Sequence, residues 1–266
     1  MDRIGKFVVH RQARTTGPGR VFFCHDPDLM VPVAVKIFSP IANWPLSPAQ
    51  AMSRFMAEAR ALAAFDHPNI IAVKSMDVMD GHPFFVMPYQ GAHLPYEIGR
   101  DEVDPERRPE DQPRRLPVGR ALTLLRQLSA AVATLHRRGM VHRHLKPSNI
   151  LLTGREGGLV KLADFSMVKL AEKNPPLPDH WIGDTAYCAP EQRENASSVD
   201  ARADVFSLGL LAARMLSGVR PDSAIGCVDL SGSVPTPLAD LVRQSTDPDP
   251  ALRPPHGAAF LQGLTF

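Results

Sequence analysis

Residues able to do chemistry are concentrated in a few short segments of this 266-residue sequence. Lys36 ends the apolar run Val33–Val35, and Glu58 follows on the next predicted helix. Much farther along lie the basic and polar segment His142–Asn149 and then Asp164. A lysine can hold a phosphate, and carboxylate or amide oxygens can hold magnesium. A lone lysine on a strand, however, is usually a solvated edge charge, so only the joint spacing of these residues can indicate a site.

The composition excludes several classes of protein. Thirty basic and twenty-eight acidic residues give a net charge of +2, which is too small to predict a nucleic-acid or membrane surface as the main partner. The three cysteines, Cys24, Cys188 and Cys227, are far apart and odd in number, so neither a disulfide framework nor a zinc site is expected. With 44% hydrophobic residues and no run long enough to span a membrane, the sequence predicts a globular cytoplasmic protein.

The elements that must position these residues differ between the two parts of the chain. The first ninety residues read as short strands, with a turn at Asp80-Gly81. The predicted strands are Phe7–Val9, Val21–Cys24, Val33–Phe38, Ile70–Val73 and Phe84–Met87. One helix interrupts them: Ser47 and Gln50 form a capping-box pattern around Pro48, and apolar residues then recur at helical spacing.

The rest of the chain reads as mainly helical after a charged segment. Tyr96–Pro117 is rich in charge and proline and has almost no apolar residues, so it is predicted to be a mobile insertion. Helices are predicted for the stripe that begins at Leu122, for Val205–Leu216 and for Leu238–Arg243. The members of that stripe are Leu122, Leu125, Leu128, Val132 and Leu135.

The order and spacing of several motifs resemble the protein-kinase signature set VAIK, HRDLxxxN, DFG and APE. The matching segments are Val33–Lys36, Val141–Leu152, Asp164–Ser166, Ala189–Glu191, Asp204–Gly209 and Arg253-Pro254. The sequence is therefore identified as similar to eukaryotic-like serine/threonine protein kinases from Phe7 to Leu264, with a composition that looks bacterial. The resemblance implies an α+β, bilobal protein-kinase fold. A five-stranded N-lobe sheet with an αC helix would occupy 1–88, and a mainly helical C-lobe would occupy 89–266.

The resemblance also implies binding of ATP and magnesium. Lys36 would hold the α- and β-phosphates and pair with Glu58, while Asp164 and Asn149 would bind magnesium. Further positions match residues that cover the phosphates or enclose the adenine ring, although each apolar one alone is more often plain core. These positions are Gly19, Val21, Ala34, Met87 and Leu151.

Structural positions of the family are matched as well. A stacked spine between the lobes corresponds to Leu62, Val73, His142 and Phe165. Asp204 matches the aspartate that anchors the catalytic segment, and Glu191 and Arg253 match a buried ion pair. These matches indicate an intact fold and carry no information about turnover.

The sequence departs from the family at the positions that perform catalysis. His144 stands where the family has the aspartate that accepts the substrate's proton. Of the three glycines expected in the phosphate-covering loop, at positions 14, 16 and 19, only Gly19 is present, because Arg14 and Thr16 replace the others. Ser166 replaces the glycine after Asp164-Phe165, and little room is left for the αG helix. ATP binding is therefore expected to be weaker than in a typical kinase.

Asp184 is a second departure, because it replaces a threonine that in the family contacts the catalytic aspartate and the lysine matching Lys146. His144 and Asp184 could result from two independent substitutions, or the two residues could form a pair that replaces the family's contact between the aspartate and the threonine. We expect the pair, with Lys146 nearby. A close carboxylate would keep His144 charged and unable to act as a base, and Asp184 itself could be a relocated base.

These features predict a pseudokinase: a regulatory or scaffolding module that still binds ATP and magnesium but phosphorylates protein weakly or not at all. One alternative is an active serine/threonine kinase that uses His144 or Asp184. Another is a protein-interaction module with an empty nucleotide cleft. The expected partner is a protein, such as an active kinase, a phosphatase or another signalling protein, and not a nucleic acid.

Overall fold

The computed structural model describes residues 2–13, 18–42, 44–154, 158–170, 185–220, 230 and 232–266. Within these ranges, one antiparallel sheet has six strands in the order β1-β2-β3-β4-β6-β5. The strands are β1 (Arg3–Ile4), β2 (Phe7–Gln12), β3 (Gly19–Asp26), β4 (Val31–Phe38), β5 (Ser75–Met79) and β6 (His82–Pro88). The strand β4, which carries Lys36, lies inside the sheet between β3 and β6 and is buried from Val33 onward.

The prediction of five strands in this sheet is wrong, because the sheet has six. The sixth strand, β1, is only two residues long, and Ile4 and Arg3 pair with the start of β2. Such a short strand leaves no alternating pattern in the sequence. Ile4 is nevertheless fully buried, so it closes one end of the sheet's apolar core.

The predicted strand Ile70–Val73 is also wrong. Ile70 makes only an isolated bridge to Leu162, and the backbone N–H of Ile71 donates to the Leu162 carbonyl at 2.9 Å. Ile70 and Ile71 are buried because they join the sheet to the second part of the chain. The actual strand, β5, is mostly exposed and so lacks the apolar signal by which a strand is recognised.

The turn at Asp80-Gly81 is confirmed. Met79 pairs with His82, so two residues connect β5 and β6, and both have a positive φ, 51° for Asp80 and 78° for Gly81. A two-residue hairpin turn with positive φ at both positions matches the right-handed twist of the flanking strands, and Asp-Gly is among its preferred sequences.

The predicted helix after residue 47 is confirmed as α1 (Pro48–Ala63). Ser47 accepts a hydrogen bond from the Gln50 N–H at 3.3 Å, and the Gln50 side chain accepts one from the Ser47 N–H at 2.9 Å. This capping box satisfies backbone donors that a helix start leaves unpaired. The buried face of α1 includes Phe55, Glu58 and Leu62, so it places a carboxylate against the sheet.

The remaining helices are α2 (Pro95–Ile98), α3 (Val118–Arg137), α4 (Pro190–Glu194), α5 (Ala201–Ser217), α6 (Thr236–Ser245) and α7 (Gly257–Gln262). A small sheet of β7 (Ala92–His93), β8 (Ile150–Leu152) and β9 (Val160–Leu162) lies among them. The helices predicted from the Leu122 stripe, Val205–Leu216 and Leu238–Arg243 are thus present as α3, α5 and α6. Helix α5 is almost wholly buried and forms the centre of the helical core.

The segment Tyr96–Pro117 has anchors that its composition did not indicate. Ile98 is fully buried, and the N–H of Leu116 donates to the Met215 carbonyl of α5 at 2.7 Å. Arg214, also fully buried, donates to the Asp101 carboxylate at 2.8 Å. The premise that the segment lacks anchors is therefore wrong, because a buried arginine on α5 supplies one. Its mobility stays a prediction.

No helix of the described ranges combines the length and the apolarity that crossing a membrane requires.

Candidate functional site

Lys36, Glu58 and Asp164 meet between the large sheet and the helical part. The Lys36 Nζ lies 2.7 and 2.8 Å from the two Glu58 carboxylate oxygens and 3.4 Å from Asp164 Oδ1. The Lys36 side chain is 11% exposed and that of Glu58 is 2% exposed. Burial alone would lower the pKa of Lys36, but the two carboxylates outweigh it and raise the pKa. The ammonium group is therefore charged and fixed in position.

Asp164 follows β9 with a φ of 62°, a left-handed conformation that a residue with a side chain rarely adopts. Its carboxylate contacts Lys36 through Oδ1 and lies 3.2 Å from His144 Nδ1 through Oδ2. Burial would raise the pKa of Asp164, but Lys36, His144 and a hydrogen bond from Ser166 lower it well below its usual value. This carboxylate is therefore ionised.

Asp204, on α5, holds the segment that contains His144 through hydrogen bonds to its backbone. The Asp204 carboxylate accepts from the backbone N–H of His142 at 2.7 Å and of Arg143 at 2.8 Å, and it lies 2.9 Å from His136 Nε2. Arg143 has a φ of 63°, so these contacts stabilise a strained turn. Asp204 thus anchors this segment, as the sequence comparison with kinases implied.

Asn149 joins the same cluster. Its side-chain Nδ2 donates to the His144 carbonyl at 2.9 Å, and its own carbonyl accepts from the Ala163 N–H at 3.0 Å. Asn149 and His144 are 7% and 8% exposed. The side-chain amide of Asn149 is therefore bonded to His144, and its backbone carbonyl is bonded to the residue that precedes Asp164. Lys146 lies between His144 and Asn149 in the chain and is half-buried, directly before the 3₁₀ turn Pro147–Asn149.

Apolar residues predicted to enclose an adenine ring share one face of the sheet. Ala34 pairs with Met87, and Val21 pairs with Lys36, whereas Ala34 and Lys36 are two positions apart on β4. Directly paired residues and residues two apart in a strand lie on the same face, so these four side chains point the same way. Leu151, on β8, is partly exposed and packs against the core.

Gly19 approaches Lys36 more closely than a side chain would allow. A Cβ at Gly19 would lie 2.7 Å from Lys36 Cε. The glycine therefore leaves room for the lysine at the place where phosphates are expected. Arg14, Thr16 and Asp184, and with Asp184 the predicted contact to His144, lie outside the described residues.

Two comparisons identify the family. A model of the family described as protein kinase domain matches residues 16–227. The chain is 34% identical over 224 residues to the serine/threonine-protein kinase Pkn1 of Myxococcus xanthus, an alignment that covers 82% of this chain and 30% of Pkn1. The chain belongs to the protein kinase family. This kinase-like chain is also 32% identical over 248 residues to PknL of Mycobacterium bovis and 30% identical over 275 residues to PknA of Mycobacterium tuberculosis.

The alignments cover most of this chain but a smaller share of each relative. The PknL and PknA alignments cover 91% and 98% of this chain but only 58% and 61% of those kinases. The chain thus spans between about a third and three fifths of the length of these relatives. The bilobal α+β kinase fold agrees with this membership, with a curled antiparallel sheet on one side and helices on the other.

Two structural features expected from the kinase resemblance are present: the stacking of His142 on Phe165 and the ion pair of Glu191 with Arg253. His142 and Phe165 stack edge to face with ring centroids 5.0 Å apart, and Leu62 lies in the same buried cluster. Burial lowers the pKa of His142 to about 4, so this ring is neutral. Arg253 binds both Glu191 oxygens, at 2.7 and 3.0 Å, which confirms the predicted ion pair.

Two contacts of the kinase site were not found by sequence reasoning. One is the approach of His144 to Asp164, because the sequence favoured Asp184 as its neighbour. The other is Arg54, a buried residue of α1 whose Nε and Nη2 donate to the Ser166 carbonyl at 3.1 and 2.8 Å. Arg54 lies four positions before Glu58 and so on the same side of the helix. The four-residue spacing from Glu58 was the one feature of the sequence that could have indicated that Arg54 lies near the site.

Proposed function

We propose that this chain is a pseudokinase, which binds ATP with magnesium in the cleft around Lys36 and transfers phosphate weakly or not at all. The single observation that carries the proposal is the His144 ring, which stands at the position of the catalytic base and directs Nδ1 to Asp164 at 3.2 Å. A base must reach the proton that it removes. The His144 ring faces Asp164, the carboxylate expected to bind the cation. It is therefore poorly placed to take a proton from a substrate hydroxyl.

Several residues fit a magnesium nucleotide. The charged Lys36 offers the positive group that phosphates need, and Gly19 leaves space beside it. Magnesium is typically held in such sites by one or two protein oxygens together with the substrate's phosphates. Asp164 and Asn149 would be those holders. Within the described ranges no group of three His, Cys, Asp or Glu residues forms a fuller metal site.

Bound magnesium would neutralise charge on the phosphates during transfer. Lys36 would orient the α- and β-phosphates, and its pair with Glu58 would keep it in place. The apolar face near Ala34 and Met87 would take the purine ring. Without a base at position 144, the loss is about 10²–10⁴-fold. From ordinary kinase rates of about 1–100 s⁻¹, the expected rate falls to roughly 10⁻⁴–1 s⁻¹.

The proposal extends to the organisation and the role of the chain. An N-lobe of 1–88 and a C-lobe of 89–266 would enclose the cleft. A module that binds nucleotide and turns over slowly can signal through its conformation, so the proposed partner is another signalling protein. Lys36, Glu58, Asn149 and Asp164 support this role over an interaction module with an empty cleft.

Nucleotide binding is tested by calorimetry of the full chain with magnesium and a non-hydrolysable ATP analogue. We expect binding that Lys36→Ala and Asp164→Ala each weaken. Lys74→Ala, which removes an exposed lysine of the same sheet region, is the matched control and should bind normally. No heat at millimolar nucleotide would instead support the empty cleft.

Phosphate transfer is tested by restoring the family's residues. His144→Asp with Asp184→Thr should raise autophosphorylation above that of the wild-type chain, because it returns a carboxylate to the base position and removes the second one. His144→Asp alone is the control and should gain less. A double variant no faster than wild type would count against His144 as the reason for slow transfer.

A further inference from the structure

Two hydrogen bonds hold the backbone of His144, and its ring lies beside Asp164. The backbone N–H of His144 donates to His142 Nδ1 at 3.2 Å, and its carbonyl accepts from Asn149 Nδ2 at 2.9 Å. Both contacts come from residues that are themselves buried. The backbone of residue 144 is therefore fixed, and the ring lies with Nδ1 3.2 Å from Asp164 Oδ2.

The distance between these two atoms fits a pair of ligands on one cation. Two adjacent ligands at right angles, each about 2.1–2.2 Å from an ion, are about 3.0–3.1 Å apart. The observed 3.2 Å differs from that value by only one or two tenths of an ångström. The same spacing lies at the upper limit of a hydrogen bond between the two groups. A cation bound by both atoms would therefore leave the distance between them almost unchanged.

The chemistry of the donors points away from magnesium. Magnesium prefers oxygen ligands, whereas imidazole nitrogen suits later first-row transition ions. At position 144 the side chain offers an imidazole nitrogen and no oxygen donor. The nearby oxygen donors are the Asp164 carboxylate and the side-chain oxygen of Asn149, whose Nδ2 donates to the His144 carbonyl. A mixed set of one nitrogen and two oxygens results.

We infer that His144 is a ligand, through Nδ1, of the cation held by Asp164, and that this site selects a first-row transition ion over magnesium. The inference rests on the proposed nucleotide site, where magnesium can still bind, and deepens it by naming the ions that the site binds more tightly. It assigns His144 a role in binding in place of the lost role in proton transfer.

The test uses Co²⁺ as the probe, because its visible absorption reports its ligands. The full-length chain, without nucleotide, is titrated with Co²⁺ and then with Mg²⁺ as competitor. We expect Co²⁺ binding that resists a large excess of Mg²⁺. His144→Ala should weaken Co²⁺ binding at least tenfold and change the spectrum, while Mg²⁺ binding changes less. His10→Ala, which removes an exposed histidine on β2, is the control and should leave both unchanged.

Equal Co²⁺ affinity and spectrum in the wild-type chain and in His144→Ala would overturn the inference. Tighter binding by His144→Ala would overturn it too, since the histidine would then be blocking the carboxylate. If that variant does not fold, the wild-type chain labelled with ¹⁵N-histidine and loaded with Mn²⁺ decides by pulsed electron spin resonance. Coupling to an imidazole nitrogen supports the assignment, and its absence refutes it.

These outcomes are separate from those of the proposed function. Calorimetry in Mg²⁺ reports nucleotide binding without reference to His144. Normal nucleotide binding together with unchanged Co²⁺ binding in His144→Ala would refute the cation inference alone. Absence of nucleotide binding with either cation would refute the proposed function, while the Co²⁺ titration of the nucleotide-free chain would still report on His144.

Discussion

Arg214 is a fully buried charged side chain whose loss should destabilise the fold. It is fully buried on α5 and donates to Asp101 Oδ1 at 2.8 Å. It also donates to the carbonyls of Ile98 at 2.9 Å and Arg100 at 2.8 Å. Asp101 in turn accepts from the Tyr187 hydroxyl at 2.9 Å. One guanidinium therefore connects α5 to the charged segment Tyr96–Pro117, and through Asp101 to Tyr187.

The magnitude for Arg214→Met follows from what is left behind. Removing one partner of a buried ion pair costs about 3–5 kcal/mol. Asp101 is 25% exposed and keeps its Tyr187 hydrogen bond, so the lower end of that range applies. We expect a loss of about 3 kcal/mol in the free energy of unfolding. At about 2 °C per kcal/mol for a domain of this size, the melting temperature should fall by roughly 6 °C.

The assay combines urea unfolding with hydrogen exchange across 98–116. Arg214→Met should speed exchange there, because the carbonyls that it anchors lose their donor. Arg115→Met removes an exposed arginine of the same segment and should stay within about 0.5 kcal/mol of wild type. A loss below 1 kcal/mol for Arg214→Met, with unchanged exchange, would refute this account of the anchor. Slow exchange throughout the wild-type segment would refute its predicted mobility.

Three further outcomes are expected. The folded-state pKa of His142, about 4, lies below the unfolded value of about 6.5, so its contribution is complete above pH 6.5 and is lost as pH falls towards 4. Urea unfolding should show about 3 kcal/mol of this loss, and less in His142→Phe. Arg54→Met should speed hydrogen exchange in α1, because it removes the hydrogen bonds from Arg54 to the Ser166 carbonyl, whereas the exposed control Arg60→Met should not. Equal exchange in the two variants would contradict a stabilising role for these hydrogen bonds. Gly19→Ala, by crowding Lys36, should weaken nucleotide binding in calorimetry with little change in melting temperature; unchanged affinity would remove Gly19 from the site.

The parts of the fold that local sequence specifies were predicted well. The capping box around Ser47 and the Asp80-Gly81 turn depend on neighbouring residues, and both formed as the pattern indicated. The strand at Ser75–Met79 was missed, because an exposed edge strand has little apolar signal. Ile70 was taken for a strand, because burial between two parts of a protein gives the same apolar run as burial in a sheet.

The sequence indicated which residues lie near one another around Lys36, but it did not indicate every contact among them. Lys36, Glu58 and Asp164 meet as the family's motifs implied. The neighbour of His144 could not be read from the sequence, because the approach to Asp164 depends on the left-handed turn at Asp164 and on the way Asp204 holds the preceding segment. Long-range contacts of this kind leave no local pattern.

The central claim is that the cleft holds nucleotide while His144 fails to support rapid transfer. The most direct measurement is a single-turnover reaction of the wild-type chain with γ-labelled ATP, which counts retained nucleotide and transferred phosphate in the same sample. The account predicts retained nucleotide and transfer at or below about 1 s⁻¹, little changed by His144→Ala. Transfer at about 1–100 s⁻¹ that His144→Ala abolishes would contradict it and identify an active kinase.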